Sequence, residues 1–190
     1  MEEPPRLSST QMIWLSNSTL ARLRDQLQQR GQRPSMVAAD PSMSADAVEL
    51  MGILAEYGPL CEAMYLMMSA DGKIGNEERE VLKGALRNLS GDTIRTAHME
   101  SMLDAAGKNV ADQGRPARMQ DVVARLRDDR PRAEVAFVLA AAIAFADNAI
   151  ADEENETLND LAEGLGIEEG RANELLDEVQ SDLGQRQEQA

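Results

Sequence analysis

The sequence predicts an all-α protein, an orthogonal bundle of about eight or nine helices built from two related helical hairpins. Three observations carry that prediction. Hydrophobic residues make up 43% of the chain but aromatics only 3%, and a core of Ala, Leu, Met and Val suits packed helices better than a β-sandwich. Apolar residues recur at helical spacing through most of the 190 residues, with no convincing strand. The third is a repeat. The stretch Ala70-Asp71-Gly72-Lys73-Ile74-Gly75-Asn76-Glu77-Glu78-Arg79-Glu80-Val81-Leu82 returns 76 residues later as Ala146-Asp147-Asn148-Ala149-Ile150-Ala151-Asp152-Glu153-Glu154-Asn155-Glu156-Thr157-Leu158, with seven of thirteen positions identical.

Residues 1–43 read as an N-terminal arm, a helix and a linker. Met12-Ile13-Trp14-Leu15 is an apolar patch that either folds back on the domain or serves as a docking arm. Ser16 or Ser18 caps a helix carrying Leu20, Leu23 and Leu27, and Gly31 ends it. Its arginines Arg22, Arg24 and Arg30 read as a solvated face. Pro34 and Pro41 mark the linker.

A helical domain is expected over residues 44–184, with the repeats at about 59–89 and 133–165. Ser44 opens a helix with Ala47, Val48, Met51, Leu54 and Ala55 inward. Tyr57-Gly58-Pro59 is expected to stop it and start the next. Leu60 to Met68, and Val135 to Ala146 in the second copy, are apolar on nearly every face, as helices surrounded by protein are. The second run is too short to span a bilayer. Each run leads through its acidic loop into an amphipathic helix: Val81, Leu82, Ala85, Leu86 and Leu89 in one copy, Leu158, Leu161, Ala162 and Leu165 in the other. Ser90-Gly91-Asp92 is a turn and cap before a helix placing Ile94, Ala97, Met102, Ala105, Ala106 and Val110 on one face. Gln113-Gly114-Arg115-Pro116 breaks the chain, and Met119, Val122, Val123 and Leu126 form a short helix. Asp128-Asp129-Arg130-Pro131 caps the next one. Gly164-Leu165-Gly166 ends the second amphipathic helix, and Leu175, Leu176, Val179 and Leu183 line the last. Residues 185–190 are a polar tail.

In the loops, Asp71 or Asp147 closes an Asx turn, Gly72 or Asn148 tolerates a left-handed backbone, and Ile74 or Ile150 plugs the core beneath. Asn76 and Asp152 are N-caps, and the glutamates after them lie where the helix dipole favours negative charge. That accounts for most of the pattern without a ligand. It does not require a pair of acids seven residues apart, repeated. Asp71 and Glu78 face each other across one hairpin mouth, Asp147 and Glu154 across the other. If the hairpins pack about a pseudo-twofold axis, four carboxylates converge.

The order of apolar helix, Ala-Asp-Gly-x-Ile, Glu-Glu and amphipathic helix resembles the TerB-like family, which includes the tellurite-resistance protein TerB and the N-terminal domain of DjlA-type co-chaperones. The resemblance covers roughly residues 45–182; the second copy departs from it at Asn148 and Ala149. It implies an all-helical fold, a divalent-metal site at these acids, and a role in the stress response of a bacterium.

Charge and motif content narrow the chemistry. The net charge of −15 argues against nucleic acid, whose phosphates are bound by Lys and Arg, and against anionic membranes. From Asp147 onward there are 14 acids against Arg171 and Arg186, a net of −12. That surface is either a solvated face or a place for a cation or a basic partner. The acidic N-terminus does not read as a signal peptide, which places the protein in the cytoplasm. Cys61, the one cysteine, reads as a buried thiol, and His98, the one histidine, as a partly exposed structural residue. No nucleophile elbow, phosphate loop, dinucleotide fingerprint or zinc-protease motif is present, so no enzyme is expected. Oxygen ligands suit Ca²⁺, Mn²⁺ or Mg²⁺. The loop is not an EF-hand, since Met67 and Ser69 stand where its first acids belong. Asp71, Glu78, Asp147 and Glu154 are the candidate ligands, with Glu77, Asp152 and Glu153 in reserve. The expected function is a metal-binding sensor or scaffold with a protein partner. The alternative is a metal-free interaction module or co-chaperone-like adaptor, using its acidic face or the Trp14 arm.

Overall fold

The computed structural model describes residues 15, 17–29, 42, 44–69, 74, 76–145 and 152–187, with the backbone alone at 17, 77, 78, 183 and 185–187. Among them are eight helices and no strand: α1 Asn17–Gln29, α2 Ala45–Met68, α3 Asn76–Ser90, α4 Thr96–Gln113, α5 Arg115–Leu126, α6 Arg130–Ala144, α7 Asp152–Gly164 and α8 Glu169–Gln187. No described helix is long and apolar enough to cross a membrane.

The two helices that are apolar all round form the centre. The C-terminal half of α2 and nearly all of α6 are buried, and the two pack along each other. The remaining helices supply one apolar face each: Leu82, Leu86 and Leu89 from α3, Met99, Met102 and Leu103 from α4, Val122 and Leu126 from α5, Leu158 and Leu161 from α7, Leu175 and Val179 from α8. Glycine ends both amphipathic helices for a conformational reason. Gly91 (φ 62°) and Gly166 (φ 69°) take the left-handed backbone that closes a Schellman turn. In the second, the Gly166 amide donates to the Glu163 carbonyl and the Ile167 amide to that of Ala162.

The duplication is wider than the sequence repeat. Several neighbour relations come in matched pairs: α1 on α3 and α5 on α7, α2 on α4 and α6 on α8, α1 on α6 and α5 on α2. The chain is therefore two four-helix halves, α1–α4 and α5–α8, related about the central pair. Helix α1 belongs to this plan: Leu20, Leu23 and Leu27 are buried, and Arg22 on its outer side pairs with Glu178 of α8 at 2.5 Å. It packs as a layer of the bundle.

Several expectations are corrected. Tyr57-Gly58-Pro59 does not break the chain, because α2 runs through it. The Pro59 ring leaves the Ala55 carbonyl without its intrahelical donor. Arg132 of α6 supplies the substitute, Nη2 donating to the carbonyls of Ala55 at 2.9 Å and Glu56 at 2.6 Å. The first turns of α2 overhang the duplicated part, so Val48 and Ala55, expected inside, are exposed. On α4 the buried stripe is Met99, Met102, Leu103 and Ala106, with Ala97 and Ala105 facing solvent. Its N-cap is Arg95, which makes no side-chain capping bond, so Asp92 does not cap it. Helix α8 continues to Gln187, into the expected tail. The Asp129 cap holds: its carboxylate accepts from the Arg132 amide at 3.4 Å. The patch at Met12, Ile13 and Trp14 and most of the linker lie outside the described residues.

Glu134 on α6 ties the second half together. Its nearly buried carboxylate accepts from Arg171 Nε at 3.2 Å and Nη2 at 2.8 Å, and from Arg130 Nε at 3.2 Å. The Arg171 bonds above all, then Arg130, hold its pKa below the ordinary glutamate value. A carboxyl group whose pKa falls on folding contributes stability that is fully present above its unfolded pKa of about 4.3 and is lost as pH drops through the lower folded value. Wild type should therefore exceed Glu134→Gln in urea midpoint at pH 7, and the gap should narrow once pH falls below about 4. A gap that stayed constant down to pH 2.5 would show that the charge of Glu134 is not what matters.

Candidate functional site

The last turn of α2 is pinned before the first acidic loop. Ser69 is the C-cap, its amide bonded to the Tyr65 carbonyl at 2.9 Å. Arg115, the first residue of α5, donates from Nη1 to the Leu66 carbonyl at 2.6 Å and to Ser69 Oγ at 2.9 Å. A guanidinium at a helix C-terminus satisfies carbonyls with no intrahelical partner and meets the negative end of the dipole. Ile74 is half-buried against the core, as its plug role requires.

On α3, the cations following this loop are committed to α4. Arg79 Nη2 donates to Glu100 at 3.0 Å and Asp104 at 2.7 Å, and Lys83 pairs with Glu100 and Glu80. These bonds raise the pKa of both bases and lower that of Glu100, the Lys83 bond most. The two side chains stitch α3 to α4.

The second copy places Asp152, Glu153 and Glu154 in the first turn of α7, where the positive end of the dipole stabilises them. Asp152 and Glu153 are exposed and Glu154 is half-buried. Asp71, Asp147 and the side chains of Glu77 and Glu78 lie outside the described residues, as does Ile150. Of the four predicted ligands, only Glu154 has a described side chain. Among the described residues no three His, Cys, Asp or Glu side chains gather as metal ligands. The flanks of the two loops are neighbours: Leu66, one turn before the first, and Thr157, in the second turn of α7, border the same cleft.

The remaining chemistry-bearing side chains sit as expected. Cys61 is fully buried, and burial, with Glu62 beside it, pushes its thiol up to about 12; such a thiol is not a nucleophile at neutral pH. His98 is half-buried, and its Nδ1 has no hydrogen-bond partner among the described residues.

Reading the sequence missed the buried ion pairs. Glu62, in the apolar run of α2, accepts from Arg118 Nε at 2.7 Å and Nη2 at 2.9 Å, and both side chains are less than a tenth exposed. The signal was present: a glutamate inside a helix apolar on every face must have a partner. Which arginine provides it depends on the packing of α5.

A family model described as tellurite resistance protein TerB matches residues 60–177, more than half of the chain. No curated protein and no solved structure matches it. The matched span starts just after Pro59 and runs into α8, leaving out α1 and the overhanging part of α2.

Proposed function

The chain belongs to the TerB family, and from that premise we propose that it is a non-enzymatic, divalent-cation-binding sensor or scaffold of a stress response of the tellurite-resistance type. The ion is Ca²⁺, Mn²⁺ or Mg²⁺, held by Asp71 and Glu78 of the first hairpin and Asp147 and Glu154 of the second. One observation carries the reading: the acidic loop occurs twice, on helix pairs related about the central α2–α6 contact, with the last turn of α2 and the first half of α7 bordering one cleft. Two carboxylates 4 Å apart repel by about 4 kcal/mol at an effective dielectric near 20. A cation relieves that cost, and hard cations prefer oxygen ligands. The bound state would present the acidic α7–α8 surface to a protein partner.

Calorimetric titration with Ca²⁺ and Mn²⁺ tests this, alongside melting curves of wild type and Asp71→Asn/Asp147→Asn. A cation at 100 times its Kd should stabilise wild type by about 2.7 kcal/mol and the double variant much less. An unchanged melting temperature in saturating metal would reject the site. The chain would then stand as a metal-free interaction module or co-chaperone-like adaptor, which pull-down with charge-reversed α7–α8 variants would address.

A further inference from the structure

A cleft of about 550 Å³ opens between α5 and α7, within the size range of small-molecule sites. Its shape follows from one close approach. Gly164, the last residue of α7, lies so near Val123 of α5 that a Cβ there would be 2.7 Å from a Val123 methyl. Val123 and Gly164, the residues in that contact, both border the cleft. Met119 and Val123 of α5, both half-buried, supply the accessible apolar lining; Leu66 of α2, also at its border, is fully buried. In the related half the matching pair, α1 on α3, buries Leu20, Leu23 and Leu27. The α5–α7 pair buries Val122, Leu126, Leu158 and Leu161 and still leaves Met119 and Val123 partly open to the cleft.

The polar groups are divided by sign. Asp160 and Glu163, three residues apart on α7, border the cleft on one wall, and both are exposed. On the α5 wall, Arg115 is tied by Nη1 to the end of α2. A ligand cation is favoured beside the α7 carboxylates and repelled at the arginine end, which selects one charged head over a chain of several. The apolar lining between them suits a hydrocarbon body.

We propose that this cleft binds a small amphipathic organic cation: one alkylammonium head on Asp160 and Glu163, with a short aliphatic tail over Met119 and Val123. None of these residues is among the four proposed metal ligands, so binding here does not require metal there.

n-Hexylamine, hexan-1-ol and Mg²⁺ are the probes, followed by amide chemical-shift titration of the full chain. Hexylammonium should shift α5 and α7 resonances saturably. Asp160→Asn/Glu163→Gln, two solvent-facing changes, should leave the melting temperature unchanged and weaken binding roughly tenfold or more, as the loss of charge-assisted contacts predicts. Hexanol should bind at least about tenfold more weakly than hexylammonium. Equal binding of hexanol, unchanged affinity in the double variant, or shifts by Mg²⁺ that match those of hexylammonium would each overturn the proposal. Running the same titration on Asp71→Asn/Asp147→Asn keeps the two sites distinct: affinity for hexylammonium should persist even where metal binding is lost.

Discussion

Glu62→Ala is expected to destabilise the protein by about 3–5 kcal/mol, because removing one partner of a buried ion pair strands the other charge. Arg118 would keep Asp121 at 2.8 Å and Gln113 at 3.1 Å, which points to the lower end of that range. The bidentate geometry on Glu62 is nonetheless lost at a position only 5% exposed on the carboxylate side. Arg125, 3.7 Å from the same carboxylate, is a second cation that also loses this partner and supplies no replacement acceptor. Urea unfolding with a fixed m-value measures the loss. The double replacement Glu62→Leu/Arg118→Leu should recover most of it, since apolar residues of similar size often replace a buried pair without penalty. A single variant as stable as wild type, or a double variant worse than both singles, would show that the pair is not what anchors α5 on α2.

The second large effect concerns Pro59. Arg132→Met should cost about 1.5–3 kcal/mol, the usual worth of hydrogen bonds from a charged donor, because the Ala55 carbonyl freed by the proline and the Glu56 carbonyl beside it lose that donor. Pro59→Ala/Arg132→Met should be more stable than Arg132→Met alone. An alanine at 59 returns an amide to the Ala55 carbonyl and removes a proline that costs about 3 kcal/mol inside a helix. Thermal and urea midpoints of the four proteins form a double-mutant cycle. If the cycle shows no coupling, Arg132 holds α2 and α6 together in some other way. The proline is tolerated because the partner helix supplies what α2 cannot.

These two sites mark the boundary between what was legible in the chain and what was not. Helix α2 was expected to break at Tyr57-Gly58-Pro59 because local rules set glycine and proline against helix continuation. The break does not form because Arg132, more than 70 residues away, answers the freed Ala55 carbonyl and bonds that of Glu56 as well. Glu62 looked like an isolated acid in an apolar run, and its partner arrives from α5. On α4 several stripes fit helical spacing, and which one turned inward depended on its packing against α2 and α3. The predicted ligand set was legible only as a repeated spacing.

By itself the sequence determined the helical class, the two apolar central helices, the glycine ends of α3 and α7, and the membership of the duplicated hairpins in one family. Those features follow from period, composition and turn chemistry, which act over a few residues. Tertiary structure alone decided that α1 completes a four-helix half, that α2 survives its proline, which arginine neutralises which buried glutamate, and where α5 and α7 leave a cleft. Each of these depends on the free energy of groups far apart in the chain meeting without water, and no local pattern encodes which distant group that will be.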